Sequence, residues 1–273
     1  MTTIKRYGKA TMIIALLGTS AIGGTAVAKA DEVKGSYDAN AVINFIPNNE
    51  PTLPVDPEEP GGGGVTPIDP IDPTAPIEPG TAGPLSIDFA SSLNFGTQKI
   101  SSTNETYYAY SQQVTNEQGV TSNKPNYVQV TDNRGTAAGW TLSVKQVGDL
   151  TTTDNVKNKT LPGAAITLDG MTATSTTTDT LKPTVTDSVT LVPNSAEVVT
   201  TAPVNGGEGT WVTRFGSSQT LFDDTAALSD DGTTTETINK NKNVSLVVPG
   251  AIAKSAANYQ AVLTWSLSDV PGN

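Results

Sequence analysis

The 273 residues include no cysteine and no histidine. Without cysteine there are no disulfides, no thiolate metal sites and no cysteine nucleophile, so an ordinary core must hold the fold. Without histidine the commonest general base and metal ligand is missing, and no Ser-His-Asp triad can be assembled. No Gly-x-Ser-x-Gly elbow takes its place, and no Ser-x-x-Lys sits in a suitable helix. Positive charge is scarce: 16 Lys and Arg stand against 27 Asp and Glu, for a formal charge of −11. That balance opposes contact with a phosphate backbone, so no nucleic acid partner is expected. Past the N-terminus no apolar run is long enough to cross a bilayer.

The N-terminus has the features of an export signal. Lys5, Arg6 and Lys9 precede an apolar run over 12–17, and a small-residue stretch ends in Ala28-Lys29-Ala30. This predicts a secretory signal peptide over residues 1–30, with a cut after Ala28 fitting equally well. Cleavage before Asp31 would remove four basic residues and no acidic one, moving the charge from −11 to −15 over 243 residues. No cysteine follows the apolar run, and the `LPGAA` at Leu161 lies mid-chain as a turn. Retention at a cell surface would then be non-covalent.

Residues 31–46 form a short leader in which Ala41 to Ile46 either makes a brief strand or stays disordered. Residues 47–84 hold eleven of the eighteen prolines, a run of four glycines, seven acidic side chains and no Lys or Arg. Such a composition predicts a disordered, extended linker. From Leu85 to Asn273 the texture is that of an all-β, sandwich-like domain: short β-branched runs separated by Asx, Gly and Pro turns. Expected strands include `LSIDFA`, `TYYAYSQQV`, `NYVQVTD`, `GWTLSVKQV`, `AAITL`, `SVTLV`, `GTWVTRF`, `VSLVVPG` and `YQAVLTWSL`. The stretches `DDTAAL` and `PGAIAKSAANY` could each add a helical turn. The Thr-rich tract 168–188 reads as a long loop or an edge region.

Two Trp-x-Leu elements concentrate the aromatic and aliphatic signal. On a strand, Trp140 and Leu142 share a face, as do Tyr259, Trp265 and Leu267, with Trp and Leu about 6.5 Å apart. Such a pair suits a core, a sugar-stacking surface or a half-buried groove, and the pattern leaves these open. Arg134, at a turn tip, could reach a carboxylate of the domain or of a ligand, or stay solvated. The acid pairs Asp223–Asp224 and Asp230–Asp231 are weak candidates for glycan chemistry or for Ca²⁺, because adjacent loop acids are usually solvated. No catalytic residue, metal ligand or cofactor is assigned, and no enzymatic role is expected.

The stretch `PNYVQVTDNRGTAAGWTLSVKQ` with Trp140 and Leu142, and the stretch `YQAVLTWSLSDVP` with Tyr259, Trp265 and Leu267, together resemble the distal and proximal motifs of the WxL-domain cell-surface proteins of low-GC Gram-positive bacteria. `LSIDFASSLNFG`, `GTWVTRFG` and `VSLVVPGAIAKSAANY` resemble the same family. The resemblance covers Leu85 to the terminus. It implies a secreted, cell wall-associated protein attached non-covalently, with peptidoglycan as the ligand and the motif residues as its signature. It also implies possible partners: a larger WxL protein, a membrane-anchored surface protein, and a host or matrix protein. The alternative is an interaction subunit held by that membrane-anchored protein without touching glycan.

Overall fold

The computed structural model describes residues 35 and 37–269. The expected signal peptide lies outside them, as does part of the leader. All sixteen strands of the described residues fall between Val65 and Ser268, and every pairing between them is antiparallel. The all-β class is therefore what the chain adopts. Among the described residues the helical content is one 3-10 turn at Ser218–Thr220.

Four sheets make up the domain. The first runs β2 (Leu85–Ala90), β6 (Tyr127–Asp132), β13 (Gly209–Phe215), β9 (Met171–Thr174). The second runs β10 (Thr184–Val185), β12 (Ala196–Ala202), β7 (Trp140–Thr151), β16 (Gln260–Ser268). In the third, the order is β11 (Ser188–Thr190), β8 (Ala165–Asp169), β15 (Thr235–Val248), β14 (Leu221–Leu228), with β3 (Glu105–Tyr110) also on β15. A small fourth sheet runs β1 (Val65–Ile68), β4 (Gln112–Asn116), β5 (Thr121–Lys124).

The first three sheets share one core. Val128 and Val130 of β6, Trp140, Leu142 and Val144 of β7, and Ile166 and Leu168 of β8 all point into it. A second, smaller core lies on the opposite face of the first sheet, where Val65, Phe89, Val114, Tyr127 and Val212 meet. Covering both faces explains why all six positions of β6 are buried, whereas a half-exposed strand alternates.

The stretch 47–84 differs from the disordered linker that its composition predicts. It is an extended strap laid on the domain. Val55 N–H donates to Gln129 Oε1 at 2.8 Å, and Gln129 Nε2 returns a bond to Leu53 O at 3.0 Å. Lys124 pairs with Asp56 at 2.8 Å and Glu58 at 3.7 Å. Residues 65–68 form β1, paired with β4, and Thr81 N–H donates to Ile87 O along the edge of β2. Composition misleads here because Val55, Val65 and Ile77 each find apolar partners in the small core. Pro67 is tolerated because β1 lies at a sheet edge, where a missing N–H costs little.

Both expected helical turns are absent. `DDTAAL` lies in β14, and residues 250–258 form an irregular turn. There Lys254 Nζ donates to Ser101 O, Pro249 O and Ile252 O. The Thr-rich tract contributes β9, β10 and the start of β11. Its hydroxyls tie it down, Ser175 Oγ donating to Thr210 O at 2.6 Å and Thr180 Oγ1 to Glu208 Oε2 at 3.1 Å. Ala41–Ile46 forms no strand, and Val42, Ile43, Phe45 and Ile46 are 76% to 93% exposed.

Candidate functional site

The two Trp-x-Leu elements are neighbours. β7 and β16 pair antiparallel, with Leu142 opposite Leu267 and Val144 opposite Trp265. Period-two alternation then puts both Trp and both Leu on the inner face of one two-stranded patch. Their surroundings differ because β7 is interior to its sheet and β16 is at the edge.

Trp140 and Leu142 are core residues, 1% and 0% exposed. The indole Nε1 donates to Gly207 O at 2.9 Å, which satisfies its polar atom in the dry interior. Gly207 sits at φ +75, and a Cβ there would run into Ala202 and come within 2.6 Å of Trp140 Nε1. Only glycine fits that close approach. Trp211 is buried likewise, its Nε1 donating to Glu208 O at 3.0 Å.

On β16 no side chain is fully buried. Tyr259, Leu263, Trp265 and Leu267 pack on the core from its rim while remaining half-exposed. Trp265 stacks on Phe215 with ring centroids 6.3 Å apart and planes 13° from parallel. Tyr259 is a fastening: its hydroxyl donates to Asn158 O at 2.5 Å and accepts from Ser255 N–H at 3.1 Å.

Trp265 also lines a cleft of about 280 Å³ between the strap and β2, together with Asp69, Ile77, Glu78, Asp88 and Phe89. No Lys or Arg lines it. Asp88 sits at the base, 5% exposed, accepting from Ser86 Oγ at 2.6 Å, Gln129 Nε2 at 2.9 Å and Thr131 Oγ1 at 2.5 Å. Burial pushes its carboxyl above the usual range, and the three donors pull against that shift. A larger cleft of about 400 Å³ lies on the other side of Asp69 and Pro70, lined by Asp223, Asp230, Glu236 and Tyr110. Burial raises the Tyr110 hydroxyl, and Asp230, Glu236 and Asp224 raise it further. Neither cleft is visible in the sequence, since each takes a wall from the strap. The one available clue was the apolar residues spaced among its prolines.

Of the remaining candidates Asp230 lines the larger cleft, and the others are occupied by structural contacts. Arg134 grips Asp132 through Nε at 2.9 Å and Nη2 at 2.7 Å, and caps Gly139 O at 2.7 Å. Asp223 accepts from Asn239 at 2.8 Å, and Asp224 pairs with buried Lys240 at 2.8 Å, both across β14 and β15. Asp231 closes a turn by accepting from Thr233 and Ser229, which lowers its carboxyl to about 2. A general acid requires the opposite shift. Among the described residues no three acidic side chains converge as a metal site.

The family model of the WxL domain, described as surface cell wall-binding, matches residues 32–271. No curated protein and no solved structure matches the chain.

Proposed function

The chain belongs to the WxL surface cell wall-binding family, and from that premise we propose that it is exported and holds the wall non-covalently by touching peptidoglycan itself. The observation carrying this reading is Trp265. It is the one tryptophan with an accessible ring, Trp140 and Trp211 being 1% and 4% exposed, and it opens into a cleft with carboxylates at its edge. A sugar face packs on an indole while its hydroxyl and amide hydrogens seek acceptors. Asp69 and Glu78 are such acceptors. The size of the cleft suits one ring unit, not a long glycan. Residues 1–30 act as the export signal in this reading, and the role is binding without catalysis. A larger WxL protein and a host or matrix protein are further partners it accommodates.

The test is a pull-down of the chain on peptidoglycan stripped of teichoic acids, beside Trp265→Ala with its fold checked by near-UV circular dichroism. Retention by the wild type and loss by a folded variant are expected. Retention by both would move the contact away from this cleft.

A second reading, attachment through a membrane-anchored protein without glycan contact, is favoured by the place of β16 at the end of its sheet, since strands at sheet edges recruit strands. It predicts no binding to purified peptidoglycan at all.

A further inference from the structure

The cleft beside Trp265 is rich in hydrogen-bond acceptors and poor in donors. Asp69, Glu78 and Asp88 bring carboxylates to it, and no Lys or Arg lies among its walls. Gln112 adds an amide on the inner wall, 0% exposed. Both hydrogens of its Nε2 are given away, to Ile68 O at 2.7 Å and Gln113 O at 2.9 Å, which settles which end of the amide is oxygen. Its Oε1 has no partner, and a buried acceptor in that state carries a desolvation cost that only a donor removes. Asp69 accepts from Ile71 N–H at 2.7 Å and from Ser92 Oγ at 3.1 Å, one bond to each oxygen, and so keeps further lone pairs. The Ser92 hydrogen is thereby spent. The Thr81 hydroxyl accepts from Ile87 N–H at 2.8 Å, so its own hydrogen and that of the Trp265 indole are the side-chain donors left in the lining.

An acetamide suits this lining poorly, because it offers one N–H and brings a carbonyl that needs a donor in turn. A primary ammonium offers three hydrogens, no acceptor and a positive charge. The carboxylates favour that charge, and the face of an indole attracts a cation while covering an apolar body. Burial holds the Asp88 carboxyl above its usual range, a shift that a nearby cation opposes. A bare metal ion suits the cleft less well, since no three acidic side chains converge among the described residues.

We propose that the Trp265 cleft selects a primary ammonium group on an apolar body, with Asp69 and Glu78 balancing its charge, Gln112 Oε1 accepting one hydrogen and the indole covering the body. In a wall polymer that group is the nitrogen of an unacetylated amino sugar or a free amine of the peptide stem. The proposal deepens the reading that Trp265 touches peptidoglycan, and it rests on that reading.

The test follows retention of the chain on stripped peptidoglycan de-N-acetylated with alkali, beside the same material re-acetylated with acetic anhydride. Re-acetylation caps sugar and peptide amines alike. It is expected to weaken wild-type binding by about tenfold or more, the loss of one charge-assisted hydrogen bond. Glu78→Gln and Asp69→Asn, which keep size and an acceptor, should each bind the free-amine material less tightly and narrow that gap. Asp179→Asn, at an exposed acid outside both clefts, should keep it. Competitors then separate the two sources, with N-acetylglucosamine as the neutral control. Displacement by glucosamine assigns the amine to the sugar, and displacement by Nα-acetyl-lysine amide assigns it to the stem. Equal binding to both preparations, still lost in Trp265→Ala, would overturn this proposal and leave the contact with peptidoglycan standing. A gap that Asp179→Asn closes as far as Glu78→Gln does would overturn it too, by assigning the gap to net charge. No wild-type retention on either material would overturn both this proposal and the reading beneath it.

Discussion

Trp140 and Trp265 occupy equivalent places in the same short motif, and their environments set opposite consequences for substitution. Trp140 fills the core and donates to Gly207 O, so Trp140→Ala should cost about 3–5 kcal/mol. Trp265→Ala, at the rim, should cost about 1–2 kcal/mol because only part of its surface leaves water on folding. Chemical denaturation of the two variants measures the difference, and equal losses would contradict the assignment of core and rim. Gly207→Ala should be destabilised as well, by about 1–3 kcal/mol from backbone strain alone. Asp88 gives a prediction with a sign in pH. Burial raises its carboxyl above the usual 3.8, so the folded state holds the proton more tightly than the unfolded chain. Stability from this group is present below the unfolded value and is lost as pH rises through the folded one. Asp88→Asn removes that dependence and keeps an acceptor for Gln129 and Thr131. Its stability relative to wild type should therefore rise between about pH 4 and pH 7. Asp88→Ala removes the acceptor of all three donors, Ser86, Gln129 and Thr131, and should cost about 1–3 kcal/mol at either pH. Denaturation curves at the two pH values distinguish the variants.

At the scale of elements, the strap is where composition and structure part. Eleven prolines over 47–84 announce an extended chain, and extended it is. What composition hides is that an extended chain can still pair, when Val55, Val65 and Ile77 meet apolar partners and Gln129 takes up freed backbone groups. Protection from proteolysis should follow. A protease that cuts on the N-terminal side of aspartate should cut at Asp38, ahead of these contacts, well before Asp56 or Asp69, which pair with Lys124 and Ser92. Gln129→Ala should bring those later cuts forward, as mass spectrometry of timed digests would show. Where alternation and β-branching coincide, as in β6, β7, β13 and β16, strands are legible in the sequence. `AEVVTTA` of β12 and `TSNK` of β5 are not, the first lacking a clean period and the second an apolar face. `DDTAAL` contains alanines that favour a helix, yet the pairing of Asp224 with Lys240 across the sheet keeps it in β14. Of the candidate site, the shared face of the Trp and Leu in each motif was legible from period two, though not that it points inward. Their adjacency was not, because strand order is a property of long-range pairing. Nor was the contrast between buried Trp140 and half-exposed Trp265, which depends on which strand ends up at the edge.

For the whole molecule, charge decides how wall binding responds to salt. The chain carries a formal −11, and neither cleft offers a Lys or Arg. An anionic wall polymer therefore repels it over distances set by the Debye length, about 10 Å at 0.1 M salt. Binding through Trp265 involves contact and hydrogen bonds at short range, which salt screens much less. Walls bearing teichoic acids should then bind the protein more weakly than stripped peptidoglycan at low ionic strength, with the gap closing as salt rises. Peptidoglycan stripped of those polymers should show little dependence on salt. The measurement is a set of sedimentation binding isotherms on both preparations across a salt series without divalent cations. Stronger binding to the anionic wall at low salt would contradict the reading, since it would require a cationic contact surface away from both clefts and against the net charge of −11.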